Sequence, residues 1–190
     1  MLQRKYYFLI FILILSIVSV FIFYNTEKIQ QDTLASTLTE KDSSVWVGNS
    51  VYQIPIDTEN GKLIYYGYEL IAHTAKYLGP KGSVQHSTNG MNCQNCHLEA
   101  GTKPWGINYG SVYSTYPKFR ERSGSIENIY KRVNDCMERS LNGKALDTNS
   151  KEMKAIFAYI QWLGKEVPKG KKVKGSGIDR KSTRLNSSHT

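Results

Sequence analysis

The sequence predicts an all-α domain preceded by one membrane-spanning helix, and three observations support this fold class. Residues 6–24 are uncharged and almost wholly apolar. Three later segments repeat apolar residues every three or four positions, which is the period of an amphipathic helix. Between the first and second of these, residues 82–124 form a Gly-rich stretch without a convincing strand. So long a loop is uncommon in a compact domain unless something large packs inside it.

The apolar segment 6–24 is just long enough to cross a bilayer as a helix, at about 1.5 Å per residue. Arg4 and Lys5 precede it, and positive residues stay on the cytoplasmic side. The rest of the chain is therefore expected on the periplasmic, extracytoplasmic face, tethered to the inner membrane. A cleaved signal peptide is the alternative, but its apolar region is usually shorter and followed by small residues, which are missing here, so we assign residues 1–24 as an anchor or uncleaved signal. Residues 25–44 are polar, lack aromatic side chains and are predicted to be a tether.

Residues 179–190 show no apolar periodicity and are expected to be a non-native tail, so that the natural protein would be longer. The chain carries a formal net charge of +9. Without residues 1–5 and 179–190, 20 basic and 15 acidic residues remain, a net charge of +5. Nucleic acid is not an expected partner for an exported domain, whereas a modest positive field suits a small anion or an acidic redox partner.

The three helices are predicted over residues 61–79, 125–142 and 149–163. The first stops at a Gly-Pro pair. The second has Ser125 as a plausible N-cap and a glycine after its last residue. In the third, Glu152 occupies the capping-box position three residues after Asn149.

A C-x-x-C-H motif, residues 93–97, stands inside the long loop. This spacing is typical of covalent haem attachment, because two thiols add to the two vinyl groups on one side of the porphyrin and the adjacent imidazole then lies beneath the iron. It predicts one haem c, attached through Cys93 and Cys96, with His97 as an iron ligand. A thioredoxin-like redox pair would need a βαβ context, and a zinc site would need two more ligands. Haem also supplies the large group that the loop requires.

The haem motif and its flanking helices resemble the cytochrome c fold. In that fold an N-terminal helix crosses a C-terminal helix, and loops wrap the haem. The resemblance implies a domain over residues 45–178 with a small residue at the crossing. Gly67 is the candidate, expected to face the 159–163 end of the third helix. A helix glycine costs about 1 kcal/mol relative to alanine, which favours a packing reason for it.

Cys136 is the third cysteine of the chain and lies in the second predicted helix. On a helical wheel it lies about 60° from Val133, at the edge of the apolar stripe. Arg132, Arg139 and Ser140 lie within one turn, and positive neighbours favour the thiolate form of a cysteine. An inert buried thiol is the alternative on composition alone.

Iron held by His97 has a second axial position, and several residues could fill it. Cys136 and Met137 are adjacent, so their side chains point about 100° apart and only one can face the iron. The wheel does not choose between them. The other candidates are Met153, His73 and His86.

Residues 46–177 as a whole resemble the N-terminal haem domain of the tetrathionate-forming thiosulfate dehydrogenases. The resemblance rests on the order and spacing of six stretches, YLGP, NCQNCHLEAGT, YPKFRERSG, RVNDCMERSLNGKAL, KEMKAIFAYIQWL and VPKG. Members of this family are exported c-type cytochromes that usually carry two haems. The resemblance implies an oxidoreductase that interconverts thiosulfate and tetrathionate and passes electrons to haem.

In that family the cysteine of the NDC element is the distal ligand of the first haem, which implies that His97 and Cys136 ligate iron here. Arg122, Arg132 and Ser140 match the residues that hold the substrate anion, and Arg139 is a further candidate. A dianion with a soft terminal sulfur suits such a set, because cationic donors bind its oxygens.

The resemblance is incomplete after the VPKG stretch, where nothing matches the family's second haem domain. The implied redox partner is therefore a separate cytochrome or a missing second haem domain. The leading hypothesis is a membrane-tethered enzyme domain acting on thiosulfate or tetrathionate. The alternatives are a one-electron carrier with His97/Met ligation and no substrate chemistry, and a sulfur-oxidising cytochrome that attaches thiosulfate to a carrier protein.

Overall fold

A computed structural model of the protein describes Ser19, residues 21–28 and residues 45–178. The chain divides between Ser43 and Ser44 into two units, each of which is described by itself. In the first unit residues 21–28 are helical. No helix within the described residues is long and apolar enough to cross a membrane. Most of the predicted membrane helix lies outside them, as do residues 29–44 of the predicted tether and the predicted tail.

The described part of the second unit is rich in helices and also contains a small sheet. Its helices are α1 (Glu59–Ala72), α2 (Thr74–Leu78), α3 (Leu98–Gly101), α4 (Val112–Thr115), α5 (Ile129–Arg139) and α6 (Lys151–Gly164), with single 3₁₀ turns at Val51–Gln53 and Cys93–Asn95. Strands β1 (Lys118–Arg120) and β2 (Ser125–Glu127) pair antiparallel.

The hairpin of β1 and β2 corrects the prediction of an all-α domain. Each strand is only three residues long, too short for an alternating pattern to stand out. Phe119 pairs with Ile126, and both side chains are exposed, so neither strand shows the usual buried apolar face. Ser125 belongs to β2 and does not cap a helix. The N-cap of α5 is Asn128, whose side chain accepts a hydrogen bond from the backbone N–H of Lys131 at 2.9 Å.

Helices α1 and α6 form the main packing interface of the domain, as the sequence predicts. Thr58 caps α1 and Ser150 caps α6, one residue after the predicted start. Tyr159 of α6 packs against Tyr68 of α1 with 5.9 Å between ring centroids. The apolar side chains of the two helices that are buried in the core are Ile64, Leu70, Ile71, Ala72, Met153, Ala155, Ile156, Ala158, Tyr159, Ile160, Trp162 and Leu163.

Gly67 lies at the closest approach of α1 to α6. A Cβ atom at this position would lie 2.0 Å from the backbone oxygen of Ala155 and 2.8 Å from Cβ of Tyr159. The predicted close contact is therefore confirmed, although it lies nearer to the start of α6 than expected.

Replacing Gly67 with alanine is expected to force the two helices apart. Overpacking of this kind costs about 3 kcal/mol, and the better helix propensity of alanine returns about 1 kcal/mol, so the free energy of unfolding should fall by about 2 kcal/mol. Thermal unfolding of the haem-loaded protein measures this. Gly177→Ala is the matched control, because nothing lies within 4 Å of its added Cβ. Equal melting temperatures for the two variants would contradict the packing role of Gly67.

Candidate functional site

A cavity of about 320 Å³ lies between the C-x-x-C-H segment, helix α5 and the hairpin. All three cysteines line it, together with His97, and all three are free thiols. Its apolar walls come from α1, α5 and α6 and from the region between α2 and β1. The apolar lining residues are Ile71, Met91, Ile107, Val112, Ile129, Val133, Met137, Leu141, Ile156 and Ile160. The cavity thus brings together the motif and the lone cysteine, which are 40 residues apart in the sequence.

His97 is held with one ring nitrogen directed at the backbone. Its Nδ1 lies 2.7 Å from the carbonyl oxygen of Ile107. Because a carbonyl can only accept, Nδ1 carries the proton of this hydrogen bond, which leaves the lone pair of the neutral ring on Nε2. Burial lowers the pKa of His97, which favours that neutral form. Nε2 is therefore available to ligate a metal.

The carbonyl that orients His97 belongs to a residue in an unusual backbone conformation. Ile107 has a φ of 55°, in the left-handed region that a β-branched residue rarely adopts. Its N–H donates to the carbonyl oxygen of Gly177 at 3.4 Å. Tyr109, two residues on, packs its ring against the imidazole with 4.6 Å between centroids. The segment from Ile107 to Tyr109 therefore fixes the orientation of the His97 ring.

Cys93 and Cys96 lie on one 3₁₀ turn, and the neighbouring helices hold that turn in place. The N–H of Cys93 donates to the hydroxyl of Thr74 at 2.9 Å. Asn92 accepts a hydrogen bond from the N–H of Ala75 at 2.8 Å. Loss of solvent raises the pKa of Cys93 to about 11, so this group is a neutral thiol in the protein without haem.

Helix α5 places both Cys136 and Met137 on the cavity wall. Cys136 is half-buried and Met137 is buried. The other axial candidates do not line the cavity, because Met153 packs in the core while His73 and His86 are exposed. Of the ligand candidates predicted from the sequence, only Cys136 and Met137 line the cavity.

The predicted anion-binding residues divide into two groups. Arg132 and Ser140 line the cavity, one turn on either side of Cys136. Arg122 is exposed in the turn of the hairpin and does not line it.

Three further cations of the cavity wall were not predicted from the sequence, namely Lys118, Arg120 and Lys172. For Lys118 and Arg120 the sequence did offer a signal. They lie two residues apart on either side of Phe119, and in a strand such residues share one face.

The residues of the cavity fit a covalent haem c. Two thiols share one turn, an oriented imidazole presents Nε2, and a second sulfur ligand is available from α5. Apolar walls provide the environment that a porphyrin needs. For the alternative of a zinc site, no group of three or more His, Cys, Asp or Glu residues is arranged to hold a metal ion in the described part of the chain.

Comparison with known proteins supports the same assignment. Residues 83–168 match the family described as the SoxA/TsdA cytochrome c domain. This part of the chain is a SoxA/TsdA-type cytochrome c domain. Membership of this family implies covalently bound haem c, so the resemblance inferred from the sequence is confirmed for the domain.

Two relatives of the SoxA/TsdA-type domain are thiosulfate dehydrogenases. That of Psychrobacter arcticus is 39% identical over 122 residues, which is 64% of this chain and 36% of the relative. That of Stutzerimonas stutzeri is 31% identical over 145 residues, which is 74% of this chain and 45% of the relative. The chain therefore spans less than half the length of these relatives.

The fold of the SoxA/TsdA-type domain is also found in a solved structure, the thiosulfate dehydrogenase TsdBA of Marichromatium purpuratum in its as-isolated form. It superposes with a TM-score of 0.64 at 24% sequence identity, covering 71% of this chain and 29% of the other. This similarity establishes the cytochrome c-like fold.

Proposed function

We propose that the domain carries one haem c, attached through Cys93 and Cys96, and acts in a thiosulfate dehydrogenase. In this reaction two thiosulfate dianions lose two electrons and form the central S–S bond of tetrathionate. The observation that carries the proposal is the single cavity that joins the C-x-x-C-H residues with Cys136, Arg132 and Ser140. The names of the two curated relatives support thiosulfate as the substrate.

In this proposal His97 and Cys136 would hold the haem iron from different parts of the cavity wall. His97 would do so through Nε2, because its Nδ1–H donates a hydrogen bond to the carbonyl oxygen of Ile107. Cys136 is favoured over Met137 because Arg132 and Ser140 lie four residues before and four residues after it, on its own side of α5. Haem held in this way would supply a one-electron acceptor, and a redox partner cytochrome or haem domain would receive the electrons.

Arg132 and Ser140 bind the substrate in this proposal. Both flank Cys136 by one turn of α5, so an anion between them would place its sulfur near the thiol. The guanidinium donates charge-assisted hydrogen bonds to sulfonate oxygens and the hydroxyl adds another donor. The residues thus hold a dianion by its oxygens and leave the terminal sulfur free to react.

Two features of the proposed enzyme depend on the N-terminal residues. We propose that residues 6–24 anchor the protein in the inner membrane and that the haem domain works on the extracytoplasmic face. The charge distribution around the apolar segment supports this orientation. Covalent attachment of haem outside the cytoplasm agrees with it.

Replacing Arg132 with glutamine is expected to raise KM for thiosulfate about tenfold, because the side chain loses its charge but keeps much of its length. Tetrathionate formation with an artificial electron acceptor measures this, using the haem-loaded protein and no other protein. Arg139→Gln is the control, since Arg139 lies on the same helix, is exposed and does not line the cavity. No tetrathionate from the unmodified protein would contradict the proposed function and favour an electron carrier or a carrier-protein cytochrome.

A further inference from the structure

The wall of the cavity carries an excess of positive charge. Four cationic side chains line it, Lys118, Arg120, Arg132 and Lys172, and no Asp or Glu does. Among the described residues, the carboxylate within ion-pair distance of this group is that of Glu127, 3.7 Å from Nε of Arg120. Lys118, Arg132 and Lys172 have no such partner in the described part of the chain. Four positive charges thus face one carboxylate, and a bound anion would relieve their repulsion.

The hairpin fixes the positions of Lys118 and Arg120. The two residues lie on one face of β1, and Phe119 between them points the opposite way into solvent. Opposite Lys118 on β2 is Glu127, which is only 2% exposed and reaches Arg120 diagonally across the sheet. The Oε2 atom of Glu127 makes no hydrogen bond to any described residue. Glu127 therefore holds Arg120 in place by charge and does not neutralise Lys118.

Lys118 is half-buried and its side chain lines the cavity. Its ammonium lies 4.7 Å from the centroid of the Tyr116 ring, which holds the side chain against the cavity wall. Its pKa is lowered, first by loss of solvent and then by the positive charges of Arg120, Lys172 and Arg132. Lys118 lines the same cavity as Arg132 and Cys136 of α5.

The C-terminal segment supplies the fourth cation. Lys172 lies between two hydrogen bonds that tie this segment to α4 and its N-terminal flank. The hydroxyl of Ser114 donates to the carbonyl oxygen of Lys171 at 2.7 Å, and the N–H of Val173 donates to the hydroxyl of Ser111 at 2.8 Å. The backbone of Lys172 is therefore fixed beside the cavity, although its side chain is exposed.

We propose that Lys118 and Lys172, with Arg120, form an anion-binding cluster that receives a dianionic sulfur oxyanion and holds it beside Arg132. This inference rests on the proposed function and extends it to residues outside α5. A dianion that bridges the hairpin and α5 contacts cations from two sides, and Glu127 keeps Arg120 directed at the cavity. Cations on several walls also attract the substrate from solution, because a recess lined by one sign of charge raises the local concentration of the opposite ion.

The test compares three variants of the oxidised, haem-loaded protein that lose the same charge. Lys118→Gln and Lys172→Gln remove cluster cations, whereas Lys171→Gln removes an adjacent lysine that does not line the cavity. Calorimetric binding of sulfate, a dianion that is not oxidised, provides the readout. We expect the Kd for sulfate to rise about three- to tenfold in the first two variants and to stay unchanged in the third. Lys118→Arg should restore binding because it keeps the charge.

Two further readouts separate this inference from the proposed function. KM for thiosulfate should rise in Lys118→Gln and Lys172→Gln with kcat little changed, since the lysines bind oxygens in every state of the reaction. If the protein produces no tetrathionate but the Kd for sulfate still rises in these variants, the anion-binding cluster is supported and the proposed function is contradicted. If the variants oxidise thiosulfate with unchanged KM and bind sulfate with unchanged Kd, the cluster is contradicted and the proposed function is supported.

The haem propionates are the competing occupant of the same cations. In that case Lys118→Gln would shift the midpoint potential of the haem while the Kd for sulfate matched that of Lys171→Gln. That result would overturn the proposal.

Discussion

Replacing Cys136 with alanine is expected to lower thiosulfate-dependent haem reduction by at least about a hundredfold, while the haem stays covalently attached. The physical reason is that the variant loses both the sulfur ligand and the soft group beside the bound anion, and removal of a group that contacts the reacting atoms typically costs on the order of 10² to 10⁴ in rate. Stopped-flow absorbance of the haem after mixing with thiosulfate measures this rate.

Met137→Leu is the matched control for Cys136→Ala, because Met137 is the other sulfur-bearing residue of α5 on the cavity wall. If Cys136 is the ligand, Met137→Leu should keep the spectrum of the oxidised protein, since the exchange nearly conserves volume. If Met137 is the ligand, Met137→Leu should change the spectrum of the oxidised protein and Cys136→Ala should keep it. The domain would then be an electron carrier.

Replacing Cys93 and Cys96 together with alanine is expected to abolish covalent haem attachment. Both thiols lie on the turn that lines the cavity, and no other cysteine of the described residues lies on that turn. Mass spectrometry of the exported protein should show no mass increase from haem. Without haem the cavity is not filled, and we expect the melting temperature to be lower than that of the haem-loaded protein by well over about 5 °C.

Cys136→Ala serves as the control for the attachment experiment, because it removes one thiol of the same cavity and leaves the motif intact. Its mass should still include one haem. Haem retained covalently by the double variant would show that attachment does not depend on the motif.

The helix pairing and the haem motif could be predicted from the sequence because both depend on local patterns. The 3.6-residue period fixes which faces of α1 and α6 are buried, and Gly67 marks their crossing. The spacing of Cys93, Cys96 and His97 follows from the shape of the porphyrin edge. Each of these signals lies within one short segment.

The hairpin and the cation cluster could not be predicted in the same way. The two strands are too short to show a period, and their apolar residues, Phe119 and Ile126, face solvent, so the usual relation between burial and hydrophobicity fails. Lys118 and Lys172 are 54 residues apart and meet only because the C-terminal segment is tied to the serines at α4. Arg122 was predicted to bind the anion because of the family resemblance. The arginine of the hairpin that lines the cavity is Arg120, two residues earlier.

The choice between Cys136 and Met137 depends on the direction of side chains about 100° apart on one helix. Both residues line the cavity, so position alone does not decide which of them is the second iron ligand. The choice depends on the chemistry of the neighbouring side chains. Arg132 and Ser140 lie one turn from Cys136 and would bind an anion beside its sulfur. Met137 as a ligand would explain neither of these neighbours.

Electron paramagnetic resonance of the oxidised, haem-loaded protein tests the central claim, that sulfur from Cys136 ligates the iron held by His97. We predict a low-spin signal with the narrow g-value spread of thiolate–imidazole ligation, lost in Cys136→Ala and retained in Met137→Leu. A signal unchanged in Cys136→Ala and altered in Met137→Leu would contradict the account.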